Sequence, residues 1–339
     1  MSAVAERTQA AVIRELEDRI GGYGDRALVA FSGGVDSSVV LALAARSLGQ
    51  ARVEAVTAIS PSYPAGELRM AAETASELGV AHRSVRTHEV DREAYARNDE
   101  LRCYHCKAEL YGVLGQIVRT AVPDTTVLAG ANADDQDEFR PGIWAGERAG
   151  IHNPLLEASV GKETVRSIAR TLGLRVADKP ALACLSSRVE LGIRISPELL
   201  ARIDEAEAIV RALRFDVVRV RHRGTSATVE VPADEIDRLL AHPELDAALG
   251  ALVALGWDGV VVDPNGYRPG GATPPPAGTR LTPSVAMSSG DPTRPRIDGR
   301  ERMAPSGRST GVAGGAAGRT PLASRAGGHG AHHARPGPA

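Results

Sequence analysis

The first half of the chain alternates between short apolar runs and longer segments with helical spacing. Apolar residues at 26–31 predict a β-strand, and the Ala- and Leu-rich segment 37–47 after it predicts a helix. The alternation continues with predicted strands at 53–59, 82–87 and 126–130 and predicted helices at 67–78 and 162–172. Strands that alternate with helices predict a parallel sheet with helices on both faces, which is the α/β class.

A different order of elements begins near residue 193. A helix at 197–213, followed by strands at 217–222, 228–231 and 259–262, predicts a small α+β domain. The remaining chain consists mainly of Gly, Pro, Ala, Ser, Thr and Arg, and it offers too little apolar surface for burial, so a disordered tail is predicted. The predicted domains are 1–192, 193–271 and 272–339.

Charge and hydropathy exclude several broad classes of protein. The chain has 40 Lys and Arg against 42 Asp and Glu, and about −8 of net charge falls before the Arg-rich tail. An acidic folded part argues against a general nucleic-acid surface, although a local basic groove stays open. No apolar run approaches the roughly 20 residues that span a bilayer, and the amino terminus is too charged for a signal peptide. We therefore expect a soluble, cytoplasmic protein.

Residues 32–38 join the first predicted strand to the first predicted helix and include two adjacent glycines. Backbone N–H groups of such a loop and the positive end of the next helix bind phosphate. Serine hydroxyls add donors, and Asp36 fits a helix cap or an indirect magnesium contact. The Lys of the G-x-x-x-x-G-K-[ST] loop is missing, so a different phosphate loop is predicted, with a plain glycine turn as the alternative. The predicted ATP ligands here are Ser32, Gly33, Gly34, Val35, Asp36, Ser37 and Ser38.

The sequence Ser-Gly-Gly-Val-Asp-Ser-Ser resembles the signature of the PP-loop ATP pyrophosphatases. This resemblance implies an adenine nucleotide alpha hydrolase-like domain in which ATP, with Mg²⁺, adenylates an oxygen atom and releases pyrophosphate. A nucleophile then displaces AMP. The superfamily includes amide-forming synthetases and RNA thiolation enzymes, and this motif alone does not distinguish among them.

Three cysteines in a chain without an export signal favour metal binding or catalysis over a disulfide framework. Cys103 and Cys106 are three residues apart in a predicted helix, so both thiols face one side. Cys184 lies in a predicted loop, where backbone amides and Arg188 could favour a thiolate. Three thiolates could hold three irons of a four-iron four-sulfur cluster. The alternatives are a structural zinc site that includes His105 and an inert buried thiol at position 184.

Further segments resemble the LarE family of sulfur transferases across roughly residues 26–268. They are GANADD (130–135), RPG (140–142), NPLLE (153–157), KP (179–180), ACLSSR (183–188) and GYR (266–268). The resemblance implies adenylation and thiolation of the carboxylates of a pyridinium dicarboxylate mononucleotide, a step towards the nickel-pincer nucleotide of lactate racemase. In one version of this chemistry, a cysteine at the place of Cys184 gives up its own sulfur and becomes dehydroalanine. In the other, three cysteines hold an iron–sulfur cluster, and the presence of three cysteines here favours that version.

The resemblance also implies individual ligands. They are Gly130 for ATP, Arg188, Arg219, Arg221 and Arg268 for the substrate phosphate, and Asp134, Asp135 and Glu207 for a divalent ion. A solvated charge is the alternative for Glu207 and for the arginines at 219, 221 and 268, and loop capping is the alternative for the two aspartates. Trp144 would either stack on a planar ring or pack, and packing is slightly preferred.

The expected partners are a small-molecule nucleotide substrate, other enzymes of the same cofactor pathway and a second copy of the chain, without nucleic acid or membrane. Three other functions stay open. They are an RNA thiolase, an ammonia-using synthetase that would not need Cys184, and a module that holds a nucleotide without turnover.

Overall fold

The computed structural model describes residues 8–120, 124–136, 141–180 and 183–267, together with a short strand at 286–288. The chain divides into two compact units, Met1–Asp291 and Pro292–Ala339, and every described residue lies in the first of them. None of the described helices is long and apolar enough to cross a lipid bilayer.

The first sheet has four parallel strands in the order β3-β2-β1-β4. They are β1 (Arg26–Ala30), β2 (Val53–Ile59), β3 (Ala81–Arg86) and β4 (Thr125–Leu128). Parallel neighbours need a crossover connection, and helices supply it here. The prediction of a parallel α/β sheet is confirmed.

Helices cover both faces of this sheet. They are α1 (Gln9–Gly21), α2 (Val35–Leu48), α3 (Glu67–Glu77), α4 (Glu93–Ala96), α5 (Arg102–Thr120), α6 (Pro141–Arg148), α7 (Pro154–Glu157) and α8 (Lys162–Thr171). Ala27 and Val29 of β1 belong to the core that α1, α2 and α8 share, whereas Leu28 belongs to the core beneath α5. The two-residue period of a strand sends its side chains alternately to these two cores.

The second sheet is mixed and has the order β5-β6-β7-β8. Its strands are β5 (Arg219–Arg223), β6 (Ser226–Glu230), β7 (Gly259–Val262) and β8 (Ala286–Ser288). The accompanying helices are α9 (Pro197–Ala212), α10 (Ile236–Leu240) and α11 (Leu245–Ala254). Phe215 and Trp257 are each 1 % exposed in the core between helices and strands.

Strand β8 lies inside the segment that the composition predicted to be disordered. It pairs with β7 in antiparallel register, with Val260 opposite Met287. A three-residue strand leaves almost no periodic signal, so the composition of its surroundings dominated the prediction. The rest of the predicted tail lies outside the described residues.

Candidate active site

The phosphate loop follows β1 and ends in the first turn of α2. Ser37 Oγ donates to the Gly34 carbonyl at 3.1 Å, and the Gly34 N–H donates to Ser32 Oγ at 3.3 Å. Gly34 is the N-cap of α2, and no side chain of the described residues caps the helix there. The N–H groups of the first turn are therefore positioned to bind an anion. The alternative that Asp36 caps the helix is wrong, because Asp36 lies inside the first turn.

Two glycines allow close approach of neighbouring backbones at this loop. Gly33 has a φ of 76°, and a Cβ there would lie 3.0 Å from the Ala71 Cβ of α3. Gly130 lies two residues beyond the end of β4, where a Cβ would lie 2.8 Å from the Ser37 backbone nitrogen. Gly130, which the family resemblance placed at the ATP site, therefore packs directly against the phosphate loop.

Asp36 is held at the carboxyl edge of the sheet by two polar side chains. Its carboxylate pairs with Lys162 Nζ and accepts a hydrogen bond from Asn132 Nδ2 at 3.0 Å. Neither partner was assigned a role from the sequence. Both bring donors beside the phosphate loop, where a nucleotide phosphate would need them.

Asp134 and Asp135 make the loop contacts that were the alternative to ion binding. Asp134 Oδ2 accepts from the Lys162 N–H at 2.9 Å, and Asp135 Oδ2 accepts from the Asn132 N–H at 3.0 Å. Glu207 does not join them, since it is fully buried beside Arg188. The three predicted ligands of a divalent ion are therefore not brought to one place.

All three lysines of the chain lie around this site. Lys162 pairs with Asp36, Lys179 Nζ donates to the Gly33 carbonyl at 3.4 Å, and Lys107 lies close enough to the three cysteines for their charges to interact. The chain has 40 basic residues in all, and the other 37 are arginines. The scarcity of lysine was the sequence signal that could have identified Lys107 and Lys162 as site residues.

The loop that carries Cys184 lies over the carboxyl ends of β1 and β2. The Leu185 N–H donates to the Ser62 carbonyl at 2.8 Å, and Ser62 lies just beyond the end of β2. The neighbouring Tyr63 hydroxyl donates to the Ser32 carbonyl at 3.1 Å. Ser62 and Tyr63 thereby connect the Cys184 loop to the phosphate loop, and Cys184 is partly buried.

Helices α4 and α5 also contact the Cys184 loop. Arg102 Nη1 donates to the Ser186 carbonyl at 3.0 Å, and the Tyr95 hydroxyl lies 2.6 Å from Ser186 Oγ. Burial, with smaller contributions from Cys184 and Cys106, raises the pKa of Tyr95. Tyr95 is therefore close enough to both cysteines for their charges to interact.

The three thiols are free and share one region of the structure. Burial raises the pKa of the Cys106 thiol to about 12; Lys107 opposes that shift, and Cys184, Glu89 and Cys103 add to it. Cys103 and Cys184 are therefore close enough to Cys106 for their charges to interact with it.

Cysteine thiolates are the ligands that proteins supply to iron–sulfur clusters, and the three thiols here share one region of the structure. Among the described residues, no three His, Cys, Asp or Glu side chains form a group that could hold one metal ion, so the zinc alternative gains no support. In a four-iron cluster each thiolate binds a different iron, so the thiols need not meet at one point. Lys107 and Arg102 bring positive charge beside the cysteines.

Arg188 is buried, and its guanidinium is surrounded by protein acceptors. Its Nε donates to Glu207 Oε1 at 2.9 Å, and its Nη1 donates to the carbonyls of Ala183 and Cys184 at 2.7 and 2.9 Å. Arg188 thus contacts the backbone of Cys184 rather than its thiol. The alternative that Glu207 is a solvated helix charge is wrong, since its side chain is fully buried.

Arg219 and Arg221 approach the same region from β5. Both guanidiniums lie over the Tyr267 ring, at 5.2 and 6.0 Å from its centroid. Arg221 is buried and pairs with Glu230 at 2.9 Å, so the alternative of a solvated strand charge is wrong for it. Burial, and then the neighbouring Arg188, lowers the pKa of Arg219. Arg268, the fourth predicted phosphate ligand, lies outside the described residues.

Glu89 and Trp144 differ from what the sequence indicated. Glu89 is 2 % exposed and accepts hydrogen bonds from the hydroxyls of Ser60 and Ser62, which no motif in the sequence indicated. Trp144 is 46 % exposed on α6, so the slight preference for packing is not supported.

Comparison with known proteins gives one family match, over residues 24–120, to the asparagine synthase family. The matched segment begins just before β1 and ends with α5, and it includes the phosphate loop. It corresponds to the ATP-binding part of the first sheet.

Three relatives match over most of their own length. An uncharacterized protein of Synechocystis is 42 % identical over 250 residues, which is 73 % of this chain and 91 % of the relative. The pyridinium-3,5-bisthiocarboxylic acid mononucleotide synthase of Lactiplantibacillus plantarum is 32 % identical over 268 residues, which is 79 % of this chain and 93 % of the relative. An uncharacterized protein of Methanocaldococcus jannaschii is 27 % identical over 64 % of this chain and 81 % of its own length.

Proposed function

The chain belongs to the LarE family of ATP-dependent sulfur transferases, and we propose that it converts the carboxylates of pyridinium-3,5-biscarboxylic acid mononucleotide into thiocarboxylates. The product would serve the nickel-pincer cofactor of lactate racemase and related enzymes. One observation carries this proposal: the three cysteines share one region, and hydrogen bonds through Ser62 and Tyr63 connect the Cys184 loop to the phosphate loop.

The first step is adenylation. A carboxylate oxygen of the substrate attacks the α-phosphorus of ATP, and the bond to the β-phosphate oxygen breaks to release pyrophosphate. The N–H groups of the first turn of α2 would bind the phosphates, and Lys162 and Lys179 would neutralise their charge. Asp36 would hold Lys162 in place and help to bind Mg²⁺ indirectly, with Asp134 and Asp135 as further candidates for the ion.

The second step replaces AMP by sulfur. A sulfur nucleophile attacks the acyl carbon, and the carbon–oxygen bond to AMP breaks. When held by Cys103, Cys106 and Cys184, an iron–sulfur cluster would supply this sulfur as sulfide. Lys107 and Arg102 would place positive charge beside the cysteines, and Tyr95 and Ser186 would fix the loop beside them.

Substrate binding is assigned to the arginines near the second sheet. Arg219 and Arg221 would bind the substrate phosphate in the region that also holds the Cys184 loop, with Arg268 as a third ligand. Arginine suits this role because its planar donors bind phosphate in a bidentate manner.

Intact-mass measurement after anaerobic turnover tests the source of the sulfur. With inorganic sulfide supplied in the assay, we expect an unchanged protein mass, several products per chain, and iron and acid-labile sulfide that are lost in a Cys103→Ala variant. A mass loss equal to hydrogen sulfide at Cys184, with one product per chain, would establish the sacrificial version instead. Pyrophosphate release that does not depend on the dicarboxylate substrate would contradict the proposed reaction as a whole.

A further inference from the structure

Arg188 connects helix α9 to the backbone of the Cys184 loop. Three different nitrogens of its guanidinium are engaged, with Nε and Nη2 on Glu207 at 2.9 and 3.3 Å. Nη1 donates to the Ala183 carbonyl at 2.7 Å, the Cys184 carbonyl at 2.9 Å and Ser187 Oγ at 2.9 Å. Only 2 % of Arg188 is exposed, so these contacts are largely shielded from water.

Glu207 is surrounded by donors that already satisfy its carboxylate. Besides Arg188, it accepts from Arg211 Nη2 at 2.8 Å and from the Val220 N–H at 3.2 Å. Two guanidiniums beside a fully buried carboxylate would repel a divalent cation. The surroundings of Glu207 therefore fit a salt bridge and not the metal ligand that the family resemblance implied.

The backbone on either side of Cys184 is fixed by two different parts of the fold. Arg188 binds the carbonyls of residues 183 and 184, while the Leu185 N–H donates to the Ser62 carbonyl at 2.8 Å, just beyond the end of β2. Arg188, which Glu207 of α9 holds in place, and the Ser62 carbonyl at the edge of the first sheet thus bind the two peptide groups that flank the Cys184 Cα. The Ser187 N–H also donates to the Cys184 carbonyl, at 3.0 Å.

We propose that the Arg188–Glu207 pair is a positioning device for Cys184, through which α9 sets the place of this thiol over the phosphate loop. The catalytic part of this inference rests on the proposed function, because it assumes that Cys184 takes part in sulfur transfer. The structural part does not. Arg188 acts here through the backbone of Cys184, instead of binding the substrate phosphate.

The test compares two arginines that contact the same carboxylate. Arg188→Met removes the donors to the loop but leaves Glu207 paired with Arg211, so no buried charge is left without a partner. Arg211→Met removes an equally close arginine, whose guanidinium donates to Glu207 at 2.8 Å and lies 4.0 Å from Asp204 on the same helix. Arg188→Lys is the second variant. It keeps a positive charge beside the buried Glu207, so it tests the proposal even if Arg188→Met does not fold.

Hydrogen–deuterium exchange of the Leu185 and Ser187 amides gives a readout that needs no substrate. We expect exchange at least about tenfold faster in Arg188→Met and Arg188→Lys, and within about threefold of the unmodified protein in Arg211→Met. Unchanged exchange in folded Arg188→Met protein would overturn the proposal.

The two half-reactions then separate positioning from substrate binding. In both Arg188 variants we expect substrate-dependent pyrophosphate release within about threefold of the unmodified rate, and thiocarboxylate formation with a kcat at least about tenfold lower and an unchanged KM. A raised KM with an unchanged kcat would identify Arg188 as a phosphate ligand and overturn the inference. If the unmodified protein forms no thiocarboxylate, the proposed function fails, while the exchange measurement still decides whether Arg188 fixes the loop.

Discussion

At the scale of single residues, the contact between the end of β4 and the first turn of α2 leaves no room for a methyl group at position 130. A Cβ on Gly130 would meet the Ser37 nitrogen at 2.8 Å and the Asp36 carbonyl carbon at 3.0 Å. Because both atoms belong to the backbone, the loop itself must move.

Gly130→Ala is therefore expected to weaken ATP binding by about tenfold or more. This corresponds to a loss of about 1–3 kcal/mol in binding free energy, the usual cost of steric crowding in a packed region. Isothermal titration of ATP measures this. Gly112→Ala is the matched control, since Gly112 lies in α5 with open space around it and alanine favours a helix. Equal ATP affinity in the two variants would contradict the assignment of Gly130 to the phosphate loop.

Asp36 binds Lys162 and Asn132 beside the phosphate loop. Loss of its contacts to Lys162 and Asn132 should lower substrate-dependent pyrophosphate release by about 10–100-fold, which corresponds to about 1–3 kcal/mol. The measurement compares Asp36→Ala with Asp25→Ala, a variant of an exposed aspartate just before β1. Normal pyrophosphate release in Asp36→Ala would show that this carboxylate is not part of the adenylation site.

At the scale of elements, the edge of the second sheet carries a buried histidine. His222 on β5 is 7 % exposed, and its Nδ1 accepts a hydrogen bond from Trp257 Nε1 at 2.9 Å. Burial, and then the charge of Arg202, lowers the pKa of His222 from its ordinary value of 6.5. Protonation would charge a buried ring and remove the acceptor of Trp257.

The sign of the pH effect follows from this shift. Above pH 6.5, His222 is neutral in both the folded and the unfolded chain, and it gives no pH dependence. Below pH 6.5, the unfolded chain binds the proton first, so the free energy of unfolding falls until the lowered folded pKa is passed. Each unit of that shift is worth about 1.4 kcal/mol.

Urea unfolding at pH 7.5 and pH 5.0 checks this prediction. His222→Gln keeps an acceptor for Trp257 but cannot titrate, so it should lose less stability between the two values than the unmodified protein. His88→Gln, at an exposed position, should behave like the unmodified protein. The same pH dependence in all three proteins would exclude a contribution from His222.

At the scale of the whole molecule, Asn98 links the segment between α4 and α5 to the segment that leads from the Cys184 loop to α9. It is fully buried at a φ of 58°, and its Nδ2 donates to the carbonyls of Glu190 and Ile193 at 2.8 and 3.0 Å. Asparagine is among the few residues that adopt this left-handed conformation readily.

Asn98→Ala should lower the free energy of unfolding by about 2–4 kcal/mol, because buried carbonyls lose their donor and alanine is strained at this φ. Asn98→Gly is the matched variant, since it removes the same side-chain amide but glycine adopts this φ without strain. It should be about 1 kcal/mol more stable than Asn98→Ala. Urea unfolding followed by the fluorescence of the buried Trp257 measures both. Stability equal to that of the unmodified protein would contradict the linking role of Asn98.

The main elements were predictable because their patterns are local. The predicted bounds of β2 and β7 agree with the structure, and the strand–loop–helix around residues 32–38 needed only its apolar run and two glycines. Short elements such as α4, α7 and β8 were missed, since three or four residues are too few to show a period.

The sequence by itself determined the α/β class, the phosphate loop and the pairing of Cys103 with Cys106 on one helix, because each depends on residues that are neighbours in the chain. Only the tertiary structure decided that Cys184 lies beside that pair, that Lys162 faces Asp36 and that Glu207 is buried against Arg188. These contacts join residues from 19 to 126 positions apart, and their distances are set by the packing of helices and sheets around them. A charge on a helix has the same sequence signal whether it faces solvent or a buried partner, and the fold alone distinguishes the two.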